Sequence, residues 1–270
     1  MKAPSLLLVL AACSNSGGTA TTIGQAQSSS AGQTLAAGVE QGAATFGPIT
    51  TGSGADASCA TLSGDTSDPD GDHIPNNATP TYNCSASAFG ATGTLTGTLN
   101  VVDDQPASIA WAFTGMADLM SSLTDGRGTS VTATSSGKLV ASQVSIAGPF
   151  ALARNLDGTT ELKTATKTTT VDETDQWTIT YTPMFQWTPG TIVVTGALSV
   201  SGMWDVTVDG AAANATLSTP TPLTLTPACR TRVTAGTVVA SYTANGQGNT
   251  ITVTWTGCGQ STVTYANPEM

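Results

Sequence analysis

From about residue 92 onward, apolar and hydroxyl side chains alternate with a period of two. Thr94-Leu95-Thr96-Gly97-Thr98-Leu99-Asn100-Val101, Trp177-Thr178-Ile179-Thr180-Tyr181 and Thr250-Ile251-Thr252-Val253-Thr254-Trp255 are the clearest runs. One face of each such strand is apolar and the other is threonine or serine, which is the mark of antiparallel sheet with one wet side. Asp125-Gly126, Ser136-Gly137, Asp157-Gly158, Asp209-Gly210 and Asn245-Gly246 punctuate the runs as turn signals. Asn245-Gly246 is the strongest of these, because it lies between two alternating segments. The pattern predicts an all-β domain over residues 91–270. Roughly ten to twelve strands, most pairing with their chain neighbours, would form a sandwich or a curled single sheet. At most one or two short helices are expected, one of them over residues 116–123. Nothing reads as a βαβ unit.

The preceding chain is different. Residues 14–57 are rich in Ser, Gly, Ala, Thr and Gln and nearly uncharged, a composition that suits a flexible tether. Leu35, Val39 and Phe46 stand at helical spacing, which predicts a short helix over 31–46, weakened by Gly38 and Gly42.

Composition narrows the function. Of 270 residues, about 50 are threonine, which favours strand over helix. Only 10% are charged, and the formal net charge is −10. Such a chain offers no electrostatic footprint for a phosphate backbone, so nucleic-acid binding is set aside.

Met1-Lys2 is a minimal positive start, and Leu6-Leu7-Leu8-Val9-Leu10 is an apolar run too short to span a bilayer. Leu10-Ala11-Ala12-Cys13 follows. This stretch resembles the signal peptide and lipobox of bacterial lipoproteins. The resemblance implies cleavage after residue 12, acylation of Cys13, and an extracytoplasmic protein anchored to the membrane through its acyl chains. Ser14 resembles the residue that follows the lipidated Cys in lipoproteins sent to the outer membrane of Gram-negative cells.

Setting Cys13 aside leaves Cys59, Cys84, Cys229 and Cys258, and four thiols allow three pairings. Proximity favours Cys59–Cys84 and Cys229–Cys258, and an oxidising compartment would let both form. Each closed loop would be worth about 3.5 kcal/mol in the chain-entropy account.

Residues 58–90 contain Asp65-Thr66-Ser67-Asp68-Pro69-Asp70-Gly71-Asp72-His73-Ile74-Pro75-Asn76-Asn77. Carboxylates at alternate positions, followed by an apolar residue, are how a short loop wraps a hard cation in oxygen. The run resembles the Asp-rich calcium loops of thrombospondin type-3 repeats and EF-hands. That resemblance implies calcium held by Asp68, Asp70 and Asp72, by the backbone carbonyl of Ile74, and by Asn76. Asp65 or Asn77 would stand in for the acidic twelfth ligand, which is Thr79 here. The same residue types also build any long polar turn.

His73 is the sole histidine, so a Ser-His-Asp triad or a two-histidine metal site has little to draw on. Asp103-Asp104 and Asp172, Glu173 and Asp175 are acid pairs, expected on hairpin tips as solvated charge. The five tryptophans are expected mostly on the apolar face. The expectation is a non-enzymatic envelope protein of structural, adhesive or binding type, with a protein, glycan or lipid ligand left open. A carrier of a hydrophobic ligand on a curled sheet is the alternative, and a cell-wall hydrolase the third reading.

Overall fold

The structure is a computed structural model that describes residues 23–44, 59–72, 74–88, 90–110, 112–143, 149–182, 186–188, 191–229 and 233–267. A single helix, α1 (Gln25–Ala44), precedes thirteen strands. These are β1 (Ala60–Asp65), β2 (Asn77–Ala88), β3 (Ala91–Asp103), β4 (Ala112–Asp125), β5 (Ser130–Gln143), β6 (Phe150–Lys163) and β7 (Thr168–Tyr181). They continue as β8 (Gln186–Thr188), β9 (Thr191–Val208), β10 (Ala211–Leu225), β11 (Val233–Ala244), β12 (Gln247–Gly257) and β13 (Gln260–Ala266). Each strand pairs antiparallel with the next along the chain, except that short β8 lies beside β9 and β7 passes directly to β9. The result is one unclosed meander, so of the two expected architectures the single sheet is the one formed.

The alternation expected from the sequence is the alternation observed. On the inward face, β7 buries Val171, Asp175, Trp177, Ile179 and Tyr181, and β12 buries Ile251, Val253 and Trp255. Trp204 of β9 joins Trp177 and Trp255 in the core, while the side chains of Trp111 and Trp187 fall outside the described residues. Thr250, Thr252 and Thr254 take the outward positions of β12. The hairpin at Asn245-Gly246 has both central residues at positive φ, 53° and 80°, and joins Ala244 to Gln247. Asp209-Gly210, at 49° and 85°, repeats it between Val208 and Ala211. Both are two-residue turns whose twist matches that of the flanking strands.

Two expected turns are not turns. Gly137 lies inside β5 and Gly158 inside β6. Gly137 has φ 134°, and a Cβ there would run into the Asn155 carbonyl of β6. A glycine mid-strand here marks a bend and close backbone approach rather than a chain reversal. Residues 116–123 are not helical either. They lie in β4, where Met116 and Met120 face solvent and Ala117 faces inward, paired on both sides by β3 and β5. Sheet pairing on two edges outweighs the helix propensity of Met, Ala and Leu.

Helix α1 is longer than the expected 31–46 helix and begins earlier, so this part of the stretch read as tether is a core element. At its start Gln27 Oε1 accepts the Gly24 amide at 3.4 Å, the N3-to-N-cap half of a capping box. Ala31, Leu35, Ala36 and Val39 are buried, and the helix packs against β7, β9, β12 and β13 at once. Strands so far apart in the sheet order reach one helix because the sheet curls around it. Ile23 is anchored by its amide to the Ala212 carbonyl at 3.2 Å, and its carbonyl accepts the Tyr242 hydroxyl at 2.8 Å. At the other end, Glu40 accepts the Val233 amide at 3.2 Å. No helix among the described residues is long and apolar enough to cross a membrane.

Candidate metal centre

The β1–β2 hairpin carries the Asp-rich loop. Cys59 and Cys84 are joined, with Cα atoms 4.7 Å apart, and Asp65 pairs with Asn77 as the last rung before residues 66–76. Cys229 and Cys258 form the second bridge, at 5.2 Å. The base of the loop is closed by polar side chains. Asp65 accepts the Ser67 hydroxyl at 2.6 Å, the Ser67 amide at 3.0 Å and the Asn76 side-chain amide at 2.9 Å. These bonds, the Ser67 hydroxyl first, hold the Asp65 carboxyl below its ordinary range. The Asn76 amide donates to the Ser67 carbonyl at 2.8 Å.

Within the loop each aspartate turns one oxygen to a nearby backbone amide. Asp68 Oδ1 accepts Gly71 N at 2.9 Å, Asp70 Oδ1 accepts Asp72 N at 3.3 Å, and Asp72 Oδ1 accepts Ile74 N at 2.7 Å. Gly71, at φ 78°, supplies the left-handed step between Asp70 and Asp72. One oxygen from each of Asp68, Asp70 and Asp72 lies within 4.8 Å of the others, so this group can hold a metal ion. Two oxygens that share a calcium ion at about 2.4 Å stand at most about 4.8 Å apart, so the spacing fits.

A further buried carboxylate lies at the end of the sheet beside the loop, outside that group. Asp103 ends β3, donates its amide to the Asn76 carbonyl at 3.3 Å, and accepts the Gln105 amide on Oδ1 at 2.8 Å. Asp72 and Asp103 are 3% and 5% exposed. The Oδ2 atoms of Asp70, Asp72 and Asp103 are buried with no hydrogen-bond partner. Burial, reinforced by the charges of Asp70, Asp103 and Asp68, pushes the Asp72 carboxyl up to about 7. Burial likewise raises Asp103, with Asp70, Asp104 and Asp68 adding to it. Orphaned, buried, hard oxygen donors are the chemistry a divalent cation satisfies.

The other sequence candidates are engaged differently. The Ile74 side chain is fully buried in the core, and its amide serves Asp72. Asn76 spends its side-chain amide on Asp65, while Asn77 lies in β2 and accepts the Asn100 side chain at 3.0 Å. Cys13 and His73 lie outside the described residues. Asp103 was readable as inward-facing, because Leu99, Val101 and Asp103 continue one period-two face.

The remaining acids are not on hairpin tips. Glu173 and Asp175 lie mid-strand on the inward face of β7, where Asp175 accepts the Arg154 guanidinium and Glu173 accepts Trp204 Nε1 at 3.2 Å. Burial first, and the Asp175 charge second, push Glu173 up to about 8. Outside, an open groove of about 580 Å³ crosses β5 to β11. It is lined by Asp157, Asp172, Asp205 and hydroxyls such as Thr134, Thr159 and Thr207. Thr159 and Thr174 donate to Asp172 and Asp157, both at 2.8 Å. No protein-family model matches the chain, and no curated protein or solved structure is significantly similar to it.

Proposed function

We propose that this chain is a lipid-anchored, extracytoplasmic envelope protein of structural or binding type, whose Asp-rich loop takes calcium as an ordering ligand. The observation that carries the metal reading is the convergence of Asp68, Asp70 and Asp72 beside buried carboxylate oxygens without partners. The anchor rests on the lipobox at Cys13, and the compartment is supported by two cysteine pairs at bridging distance. A structural or binding module is favoured over a carrier because α1 and three tryptophans occupy the concave side of the sheet. The described groove is polar and lies on the outward face, the wrong chemistry for a lipid or another hydrophobic ligand.

Palmitate labelling should be lost in Cys13→Ala, and labelling that persists removes the anchor. Melting in EDTA, calcium and magnesium tests the metal. Calcium at ten times its Kd stabilises by about 1.4 kcal/mol, a rise of roughly 2–4 °C. Magnesium, which demands a tighter octahedron, should do less. Equal melting in all three buffers rejects the calcium reading.

A further inference from the structure

We propose that Asp103 is a fourth carboxylate of the metal centre, so that a bound divalent cation latches the 66–76 loop onto the end of β3 and holds Ile74 in the core. The inference rests on reading Asp68, Asp70 and Asp72 as a divalent-cation site, and it adds a ligand from a different element.

Three observations converge on Asp103. The residue is 95% enclosed, with Oδ1 committed to the Gln105 amide and Oδ2 buried without a partner. Asp72 is its counterpart in the loop, equally enclosed, with Oδ1 on the Ile74 amide and Oδ2 unpartnered. The Asp103 amide is bonded to the Asn76 carbonyl at 3.3 Å, which holds its main chain against the loop, and its carboxylate, outside the 4.8 Å group of Asp68, Asp70 and Asp72, joins them by a side-chain shift as the ion binds. Among the described residues the ion pairs are Arg154–Asp175 and Lys167–Asp209, so no described Lys or Arg neutralises Asp70, Asp72 or Asp103. Burying like charges from two chain segments side by side is costly unless a cation lies between them. A bridging ion satisfies both orphaned oxygens at once.

The mechanical consequence follows from Ile74. It belongs to the same buried cluster as Leu99, Val101 and Phe113, and a single residue separates it from each of Asp72 and Asn76 along the chain. With the ion bound, loop and strand are drawn together through Asp72 and Asp103, beside the existing Asp103 amide to Asn76 carbonyl bond. Without it, repulsion between the same two carboxylates pushes the loop off the sheet and pulls Ile74 with it. The centre thus makes seating of a core residue depend on external cation concentration.

The test uses the full chain with its disulfides intact and calcium as the probe. In titration calorimetry, Asp103→Asn should weaken calcium about tenfold or more, whereas Asp104→Asn, whose carboxylate is held by Thr114, should leave affinity unchanged. In EDTA, Asp103→Asn should melt at or above the wild type, because a buried repulsive charge is gone, and in saturating calcium it should melt below it. Hydrogen exchange on the wild type provides a readout that needs no variant: calcium should protect peptides covering both 66–76 and 99–104. Wild-type affinity retained by Asp103→Asn, or protection confined to 66–72, overturns the role of Asp103 while leaving the loop site standing. A wild type that takes no divalent ion overturns both.

Discussion

Arg154 on β6 reaches diagonally to Asp175 on β7 and donates to the same carboxylate oxygen from Nε at 3.2 Å and Nη2 at 3.0 Å. Both side chains are almost fully enclosed, and the guanidinium lies 4.7 Å from the ring centre of Trp177, its direct cross-strand partner. Breaking such a pair from one side leaves an uncompensated charge in a dry core. Arg154→Ala should therefore cost about 3–5 kcal/mol in urea denaturation. Arg154→Leu combined with Asp175→Leu should recover most of that loss, since a buried pair is weak evidence of net stabilisation. Equal losses in the single and double variants would contradict this account.

The strands were legible because the period-two rule operates on every residue of a long strand, and fourteen residues of β7 give it ample length. The same rule marks the inward charges: Phe150, Leu152, Arg154 and Leu156 form one face, as do Val171, Glu173, Asp175 and Trp177. Mid-strand glycines misled, because Gly137 and Gly158 carry turn composition but serve close strand approach, a property of three-dimensional neighbours. The extent of α1 was hidden for the same reason. Its helix-breaking Gly32 and Gly38 are the residues that let it lie against the sheet, near Val263 and Trp177. At the metal centre the triad was legible from spacing alone, whereas Asp103 is 31 residues beyond Asp72 and enters only through the register of β2 and β3.

Glu173 predicts the pH dependence of stability. Its folded-state value is raised to about 8, against about 4.3 in an unfolded chain. Between those values the native state keeps a proton that the unfolded chain has lost, so stability falls as pH rises through the window and levels off above it. Glu173→Gln mimics the protonated acid and keeps an acceptor for Trp204. It should match the wild type near pH 4 and exceed it at pH 9, with chemical denaturation in EDTA as the measurement. Asp72 adds a slope of the same sign up to about 7 in both proteins, so the difference between them isolates Glu173. Parallel curves from pH 5 to 9 would mean that Glu173 is charged in the folded protein.

Two glycines of α1 should respond oppositely to alanine. A Cβ on Gly38 would meet Trp177 Cζ2 at 3.6 Å, an ordinary contact, so the better helix propensity of alanine should stabilise by about 0.5–1 kcal/mol. A Cβ on Gly32 would drive into Val263 of β13 and approach Ile251 Cγ2 of β12 at 3.1 Å. There overpacking should outweigh propensity and cost about 1–3 kcal/mol. Thermal melts of the two variants, run together, should move in opposite directions. A Gly32→Ala variant as stable as Gly38→Ala would show that α1 does not press on the final hairpin.

Ile23 and the metal centre lie at opposite ends of the sheet, which bears on how a protein anchored through Cys13 would stand on a membrane. The bond from Ile23 to Ala212 and the one from Tyr242 to Ile23 place the chain's entry beside the Asp209-Gly210 and Asn245-Gly246 turns. The 66–76 loop and Asp103 are at the other ends of their strands. Ten Cα steps lead from Cys13 to Ile23, a reach of at most about 36 Å, while a fourteen-residue strand such as β7 runs about 46 Å. The anchor is thus too short for the protein to stand inverted, with the loop end on the bilayer and the entry end away from it. Charge acts in the same sense. Arg127, Lys163 and Lys167 lie at the entry end beside Asp125, Glu161 and Asp209, so that end is close to neutral, with Lys167 paired to Asp209 at 3.2 Å. Asp65, Asp68, Asp70, Asp72, Asp103 and Asp104 gather at the other. Each unpaired cation near an anionic surface is worth about 1 kcal/mol, and carboxylates are repelled from it. A fluorophore introduced at position 245 of the lipidated protein should transfer energy efficiently to acceptor lipids in phosphatidylglycerol vesicles. The same fluorophore at position 69 should transfer weakly. Added salt should narrow the difference without abolishing it, because tether length does not depend on ionic strength. Equal transfer from the two positions at low salt would mean that the sheet lies flat on the membrane.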